Sequence, residues 1–144
     1  MHDNRKLVIE YDNFKILQET EKFILGYLWE EVCLYDKVRK KEIFLHEFYG
    51  EIECGLLCDK EEWCVIGGDV LVVWKNKKNI VIDRKELNWV HDLKKKNSKI
   101  VEIFIDPWSD NAAIWELNID NLNLKKISEF DNHKNKLYSE KVKW

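Results

Sequence analysis

Apolar residues gather along this chain in short runs parted by polar and charged clusters, a pattern of strands and turns more than of helices. The clearest block spans Trp63 to Ile82. Trp63 to Ile66 and Asp69 to Trp74 flank Gly67-Gly68, two residues that both tolerate φ > 0 and so suit a two-residue hairpin turn. Val70, Leu71, Val72 and Val73 form an unbroken apolar run, which predicts a central strand covered on both faces. Lys75 to Asn79 is too polar to bury and returns the chain to Ile80-Val81-Ile82, so the block reads as a three-stranded meander.

On either side the same grammar continues. Lys6 to Tyr11 and Phe14 to Leu17, parted by Asp12-Asn13, read as an opening hairpin, followed by strands over Lys22 to Leu28 and Trp29 to Tyr35. Gly26, inside the first of these, suits a bulge or the close approach of another backbone. Glu42 to Tyr49 alternates, as does Glu51 to Cys58, where Ile52, Cys54, Leu56 and Cys58 share the inward parity. Asp83 to Leu93 is the one helix candidate, because Leu87, Val90 and either Leu93 or His91 recur at helix-like spacing behind an aspartate that can cap. Strands follow over Ile100 to Ile105, Ala112 to Ile119 and Leu122 to Ile127, then a polar stretch, Asp131 to Asn135, before Leu137 to Trp144. There is no strict repeat: Val70 to Trp74 and Ala112 to Trp115 both lead into polar turns and a further strand, faintly like the hairpin units of propeller proteins, but the chain is too short for a closed propeller and the intervals are irregular, so the likeness reads as shared hairpin grammar. No linker divides it. The expectation is one domain, 1–144, mainly β, a single antiparallel meander curled into a barrel or sandwich with one short helix.

Composition narrows the classes of function. At 144 residues, 45% apolar and 12% aromatic with seven tryptophans, the chain has the means to build a sizeable core. A net charge of −3 with 35% charged residues intersperses both signs and does not imply nucleic-acid binding. There is no apolar run long enough to span a bilayer, and the first residues lack the features of a signal peptide, so a cytoplasmic protein with no membrane association and four reduced cysteines is expected.

Few residues suggest chemistry. Cys54, Cys58 and Cys64, with His46 upstream, lack the tight pair spacing of a structural zinc site and fit core packing instead, so no metal and no cofactor is expected. No phosphate loop or nucleophile motif is present, and nothing in the sequence brings His46, His91 or His133 to a cysteine. Aspartates at strand ends, Asp83, Asp106, Asp110 and Asp120, fit turn initiation. The tryptophans are harder to absorb: Trp29, Trp74, Trp89, Trp108, Trp115 and Trp144 are too many for the interior of so small a domain. Trp108, after a proline and between Asp106 and Asp110, has the character of a partner-binding anchor with a charged rim, the competing reading being that it folds back as a lid on its own core.

A small β domain without a catalytic motif and with an acidic, aromatic-bearing surface resembles the immunity proteins that bacteria make against their own toxins. The resemblance rests on size, composition and the lack of a catalytic constellation, and no residue is carried over by motif. It implies a non-enzymatic module that neutralises a cognate toxin, a basic protein partner, by covering its active site. The alternative is a small-molecule-binding or enzymatic β-barrel with an aromatic-lined cavity.

Overall fold

A computed structural model describes residues 6–131, 133 and 142–144. Among these, twelve strands form three four-stranded antiparallel sheets, each made of consecutive strands. The first holds β1 (Lys15–Glu19), β2 (Phe23–Leu28), β3 (Glu31–Asp36) and β4 (Lys41–Glu47). The second holds β5 (Cys54–Leu57), β6 (Trp63–Gly67), β7 (Leu71–Lys75) and β8 (Lys78–Ile82). The third holds β9 (Val90–Lys95), β10 (Ile100–Ile105), β11 (Ala113–Asn118) and β12 (Leu124–Glu129). The fold is therefore mainly β, as the sequence pattern implies, and it does not close into a barrel.

The sheets stack in chain order, and the middle one carries the core on both faces. Leu71 and Val73 pack with Val90, Val101, Ile103 and Trp115 of the third sheet. Val72 and Trp74, the alternate positions of β7, pack with Phe23, Leu25, Val32 and Leu34 of the first. This is why Val70 to Val73 is continuously apolar: a strand between two other sheets has no solvent side, and each such side chain contributes about 1.5–3 kcal/mol on burial. The first strands of the sheets lie next to one another, β1 against β5 and β5 against β9. Four-stranded meanders arranged with their first strands together correspond to three successive blades of a propeller, in an arc that does not close into a ring.

The outer faces of the end sheets are partly covered by the flanking segments. Phe14 lies on Gly26, where an added Cβ would come within 2.3 Å of its ring, and the Ile9 N–H donates to Glu42 at 3.0 Å. At the other end Trp144 stacks on Phe104 at 4.9 Å, and its indole N–H donates to Asp92 at 3.1 Å.

Several local expectations change. Lys6 to Tyr11 is not a strand, its middle forming a single 3-10 turn, Val8–Glu10. The helix expected over Asp83 to Leu93 is a 3-10 turn, Lys85–Leu87, followed by β9. Phe104 pairs with Asp92 but Ile105 with Val90, so His91 is an extra residue in a bulge. That bulge lets Val90 and Leu93, three apart, both reach the core, which imitates helical spacing. The Gly67-Gly68 turn is also different: Gly67 belongs to β6 and pairs with Leu71 across a three-residue loop, Gly68 to Val70. Neither glycine has positive φ; a Cβ on Gly67 would lie 2.5 Å from Val90, and one on Gly68 2.8 Å from Phe48. They are small because neighbours press against them. Most of Asp131 to Asn135 and Leu137 to Trp144 lies outside the described residues. No helix among those described is long and apolar enough to cross a membrane.

Candidate functional site

Antiparallel meanders put alternate turns at opposite ends of the stack, so each end is a surface built from loops of all three sheets. At one end, the β2–β3 turn, the β6–β7 turn, the β10–β11 turn and the two inter-sheet connections are tied together through backbone groups. The Phe48 N–H donates to the Glu30 carbonyl at 2.8 Å, and the Tyr49 N–H to the Asp69 carboxylate at 3.2 Å. The Gly50 N–H donates to the Glu30 carboxylate. The Trp89 peptide is held from both sides: its N–H reaches the Asp69 carbonyl at 3.4 Å, while its carbonyl accepts from the Asp106 N–H at 2.9 Å.

This end carries large aromatic side chains in the open. Trp29 is 70% exposed, Tyr49 79% and Trp89 48%. Both tryptophans occupy the left-handed region, with φ of 55° at Trp29 and 63° at Trp89. An L-residue there brings Cβ against its own backbone at a cost of roughly 1–2 kcal/mol, and for a bulky residue the conformation is a genuine outlier. The connections just described hold it in place.

Between these rings are two hollows. One, of about 360 Å³, is lined by Glu51, Glu53, Trp89, His91, Asp106 and Trp108. The other, of about 500 Å³, is lined by Tyr27, Trp29, Glu30, Gly50 and Glu51. Glu51 faces both, and no lysine or arginine lines either. Glu53 is exposed as a residue, but partial desolvation of its carboxyl group raises its pKa, followed by the charge of Glu51, with Asp106 adding to it and His91 opposing. The His91 ring stands edge-on to Phe104 at 5.6 Å and to Trp108 at 5.5 Å, aimed there by the bulge in β9.

Of the residues singled out in the sequence, Asp106 and Trp108 come together in this hollow, while Asp110 is exposed beyond its lining. The Trp108 N–H donates to the Asp106 carboxylate at 3.0 Å, so that carboxylate also closes the turn. Trp108 is half-buried, against His91 and, at 6.0 Å, His133. The more open rings are Trp29 and Trp89, and their acidic neighbours Glu30, Glu51 and Glu53 carried no sequence signal beyond their charge.

The cysteines lie apart from this end or within packing. Cys33, Cys58 and Cys64 are buried and Cys54 is half-buried, all as free thiols. Burial, with Glu42 and Glu31 nearby, pushes the Cys33 thiol up to about 12, and burial raises Cys54 and Cys64 as well. Cys33, Cys54 and Cys64 are therefore not activated nucleophiles at neutral pH. Among the described residues no group of histidine, cysteine and carboxylate side chains is arranged to hold a metal ion.

No family model matches the chain, and no curated protein matches it. Among solved structures it is similar to the crystal structure of the tricorn protease, with a TM-score of 0.62 and 13% identity over 88% of this chain. The likeness is one of fold, and the chain spans only 14% of the length of that protein.

Proposed function

We propose that the protein is a non-enzymatic binding module whose loop end of tryptophans and carboxylates covers a basic cleft on a partner protein, as an immunity protein covers the active site of its toxin. The observation that carries this reading is the pair of exposed tryptophans, Trp29 and Trp89, held in the left-handed conformation around hollows lined by acids and by no lysine or arginine. The Trp89 ring rests on Gly50 and Trp29 is 70% exposed, which is little packing for the cost of the conformation, whereas aromatic anchors at the centre of an interface dominate binding energy. The carboxylates, which keep their charge while some of them accept backbone N–H groups, supply steering toward positive charge. In this reading Trp108 is a half-buried wall with Asp106 beside it, Asp110 is part of the charged rim, and the protein acts in the cytoplasm, where its thiols stay reduced.

The test is affinity capture from the native host with mass spectrometry, then kinetics with the captured partner. Trp29→Ala and Trp89→Ala are each expected to cost about 2 kcal/mol or more, mostly through faster dissociation. Trp108→Ala is expected to cost less than either. Asp106→Asn with Asp110→Asn is expected to slow association and to flatten its salt dependence. Unchanged rates in all these folded variants would refute this face as the binding site, and turnover of a small molecule by the purified chain alone would move the protein to the enzyme class.

A further inference from the structure

The opposite end of the stack has a different character. There the β1–β2, β3–β4 and β7–β8 turns surround a cavity of about 620 Å³ between the first and second sheets. Its floor is apolar, made by half-buried Ile43 and the largely covered rings of Phe23 and Trp74, 3% and 7% exposed, which meet edge to face at 5.8 Å. Its rim is basic, made by Lys22, Arg39, Lys41 and Lys77.

Three carboxylates also line it, but two are committed to the backbone. Asp36 accepts from the Val38 and Arg39 N–H groups, both at 3.0 Å. Glu61 accepts from the Thr20 hydroxyl and the Lys22 N–H, both at 2.7 Å, tying the β1–β2 turn to the second sheet. All three keep their charge, so the four cations of the rim exceed the carboxylates of the lining, Asp36, Glu61 and the exposed Glu62, by one. Arg39, Lys41 and Lys77 have no ion-pair partner among the described residues. Lys22 lies with its Nζ 5.0 Å over the Phe23 ring, holding its charge above the floor. Lys77 is fixed by a tight turn in which Asn76 and Lys77 both have positive φ, the conformation of a type I′ hairpin.

We propose that this cavity binds a small anion carrying a flat apolar body, the body lying against Trp74, Phe23 and Ile43 and the anionic group held by Arg39, Lys77 and Lys41. The volume falls within the range of about 300–1,000 Å³ usual for small-molecule sites. A bare inorganic anion leaves the apolar floor uncovered, and a neutral ring leaves the unpaired cations unused; the site rewards only a molecule with both parts. A phosphate or a carboxylate on an aromatic body has the required chemistry.

Titration calorimetry of the full chain distinguishes the two anion types. The probes are AMP and indole-3-acetate, each against its neutral counterpart, adenosine and indole, and against inorganic phosphate. At least one of the two aromatic anions is expected to bind about tenfold or more tightly than its neutral counterpart and than phosphate, the effect of about one charge-assisted hydrogen bond. Arg39→Glu with Lys77→Glu, both exposed and so compatible with folding, is expected to remove that advantage, and Trp89→Ala at the far end to leave it intact. Equal binding of anion and neutral counterpart, no binding of either anion, or binding indifferent to the charge reversal would overturn the proposal. Because Trp89 and the rim cations lie at opposite ends, failure here leaves the partner-binding reading untouched, and the reverse.

Discussion

A tryptophan in the left-handed region is a local cost that a glycine would not incur. Trp29→Gly is therefore expected to raise stability by up to about 1 kcal/mol in urea denaturation, after the greater freedom of glycine in the unfolded chain is subtracted, while weakening partner binding. A loss of stability would mean that the ring packs for structure, against its 70% exposure. Glu53 makes a second statement at this scale. Its pKa is raised in the folded protein, so between the ordinary glutamate value and the raised one the folded state keeps a proton that the unfolded state has lost. Stability consequently falls as pH rises through that window. Glu53→Gln is expected to lessen the fall, so that denaturation midpoints of variant and parent differ more at pH 7 than at pH 4. A basic partner placed against Glu51 and Glu53 would draw the pKa back down, and binding should tighten as pH rises through the same window. Gly67 is governed by contact: Gly67→Ala is expected to cost about 1–3 kcal/mol by driving a methyl group into Val90, with little effect on either end of the stack.

At the scale of elements, alternation and polar breaks were enough to place most strands. Phe23–Leu28, Ile100–Ile105 and Ala113–Asn118 fall inside segments legible from pattern alone. The double-sided burial of β7 was legible because no residue of its apolar run faces water. What misled were places where tertiary contact imitates a local signal. The β9 bulge gives Val90 and Leu93 a spacing of three, and the two glycines that suggest a positive-φ turn are instead pressed by Val90 and Phe48. Val70 to Trp74 and Ala112 to Trp115 both build the third strand of their sheets, a correspondence that the irregular intervals between them hide in the sequence, where the likeness reads only as shared hairpin grammar. The candidate site was half legible: Pro107 marks the turn carrying Asp106 and Trp108, but nothing local to Trp29 or Trp89 tells that inter-sheet hydrogen bonds bring them to the same end. Edge strand β12 is guarded by exposed Lys125, Lys126 and Glu129, which discourages strand addition by another chain.

For the whole molecule, a net charge of −3 conceals a separation: hollows lined by carboxylates at one end, a cavity rimmed by lysine and arginine at the other. A basic partner of the kind proposed would thereby be drawn to the tryptophan end rather than the far rim, which would orient the encounter before contact. The sequential stacking of the sheets has a consequence for how the molecule comes apart. Every sheet closes on its own contiguous strands, and only the second is enclosed by others, so cooperativity runs along a short line of neighbours as it does in repeat proteins. Native-state hydrogen exchange should therefore be layered. Amides of β6 and β7 are expected to exchange only through global opening, those of the first and third sheets at lower free energy, and those of β12 first of all. Uniform protection across the three sheets would show instead that the line breaks as one piece. If the layers separate, the protein can lose an outer sheet transiently while its middle stays folded, and each ligand, by clamping the loops at its own end across adjacent sheets, would slow that loss measurably.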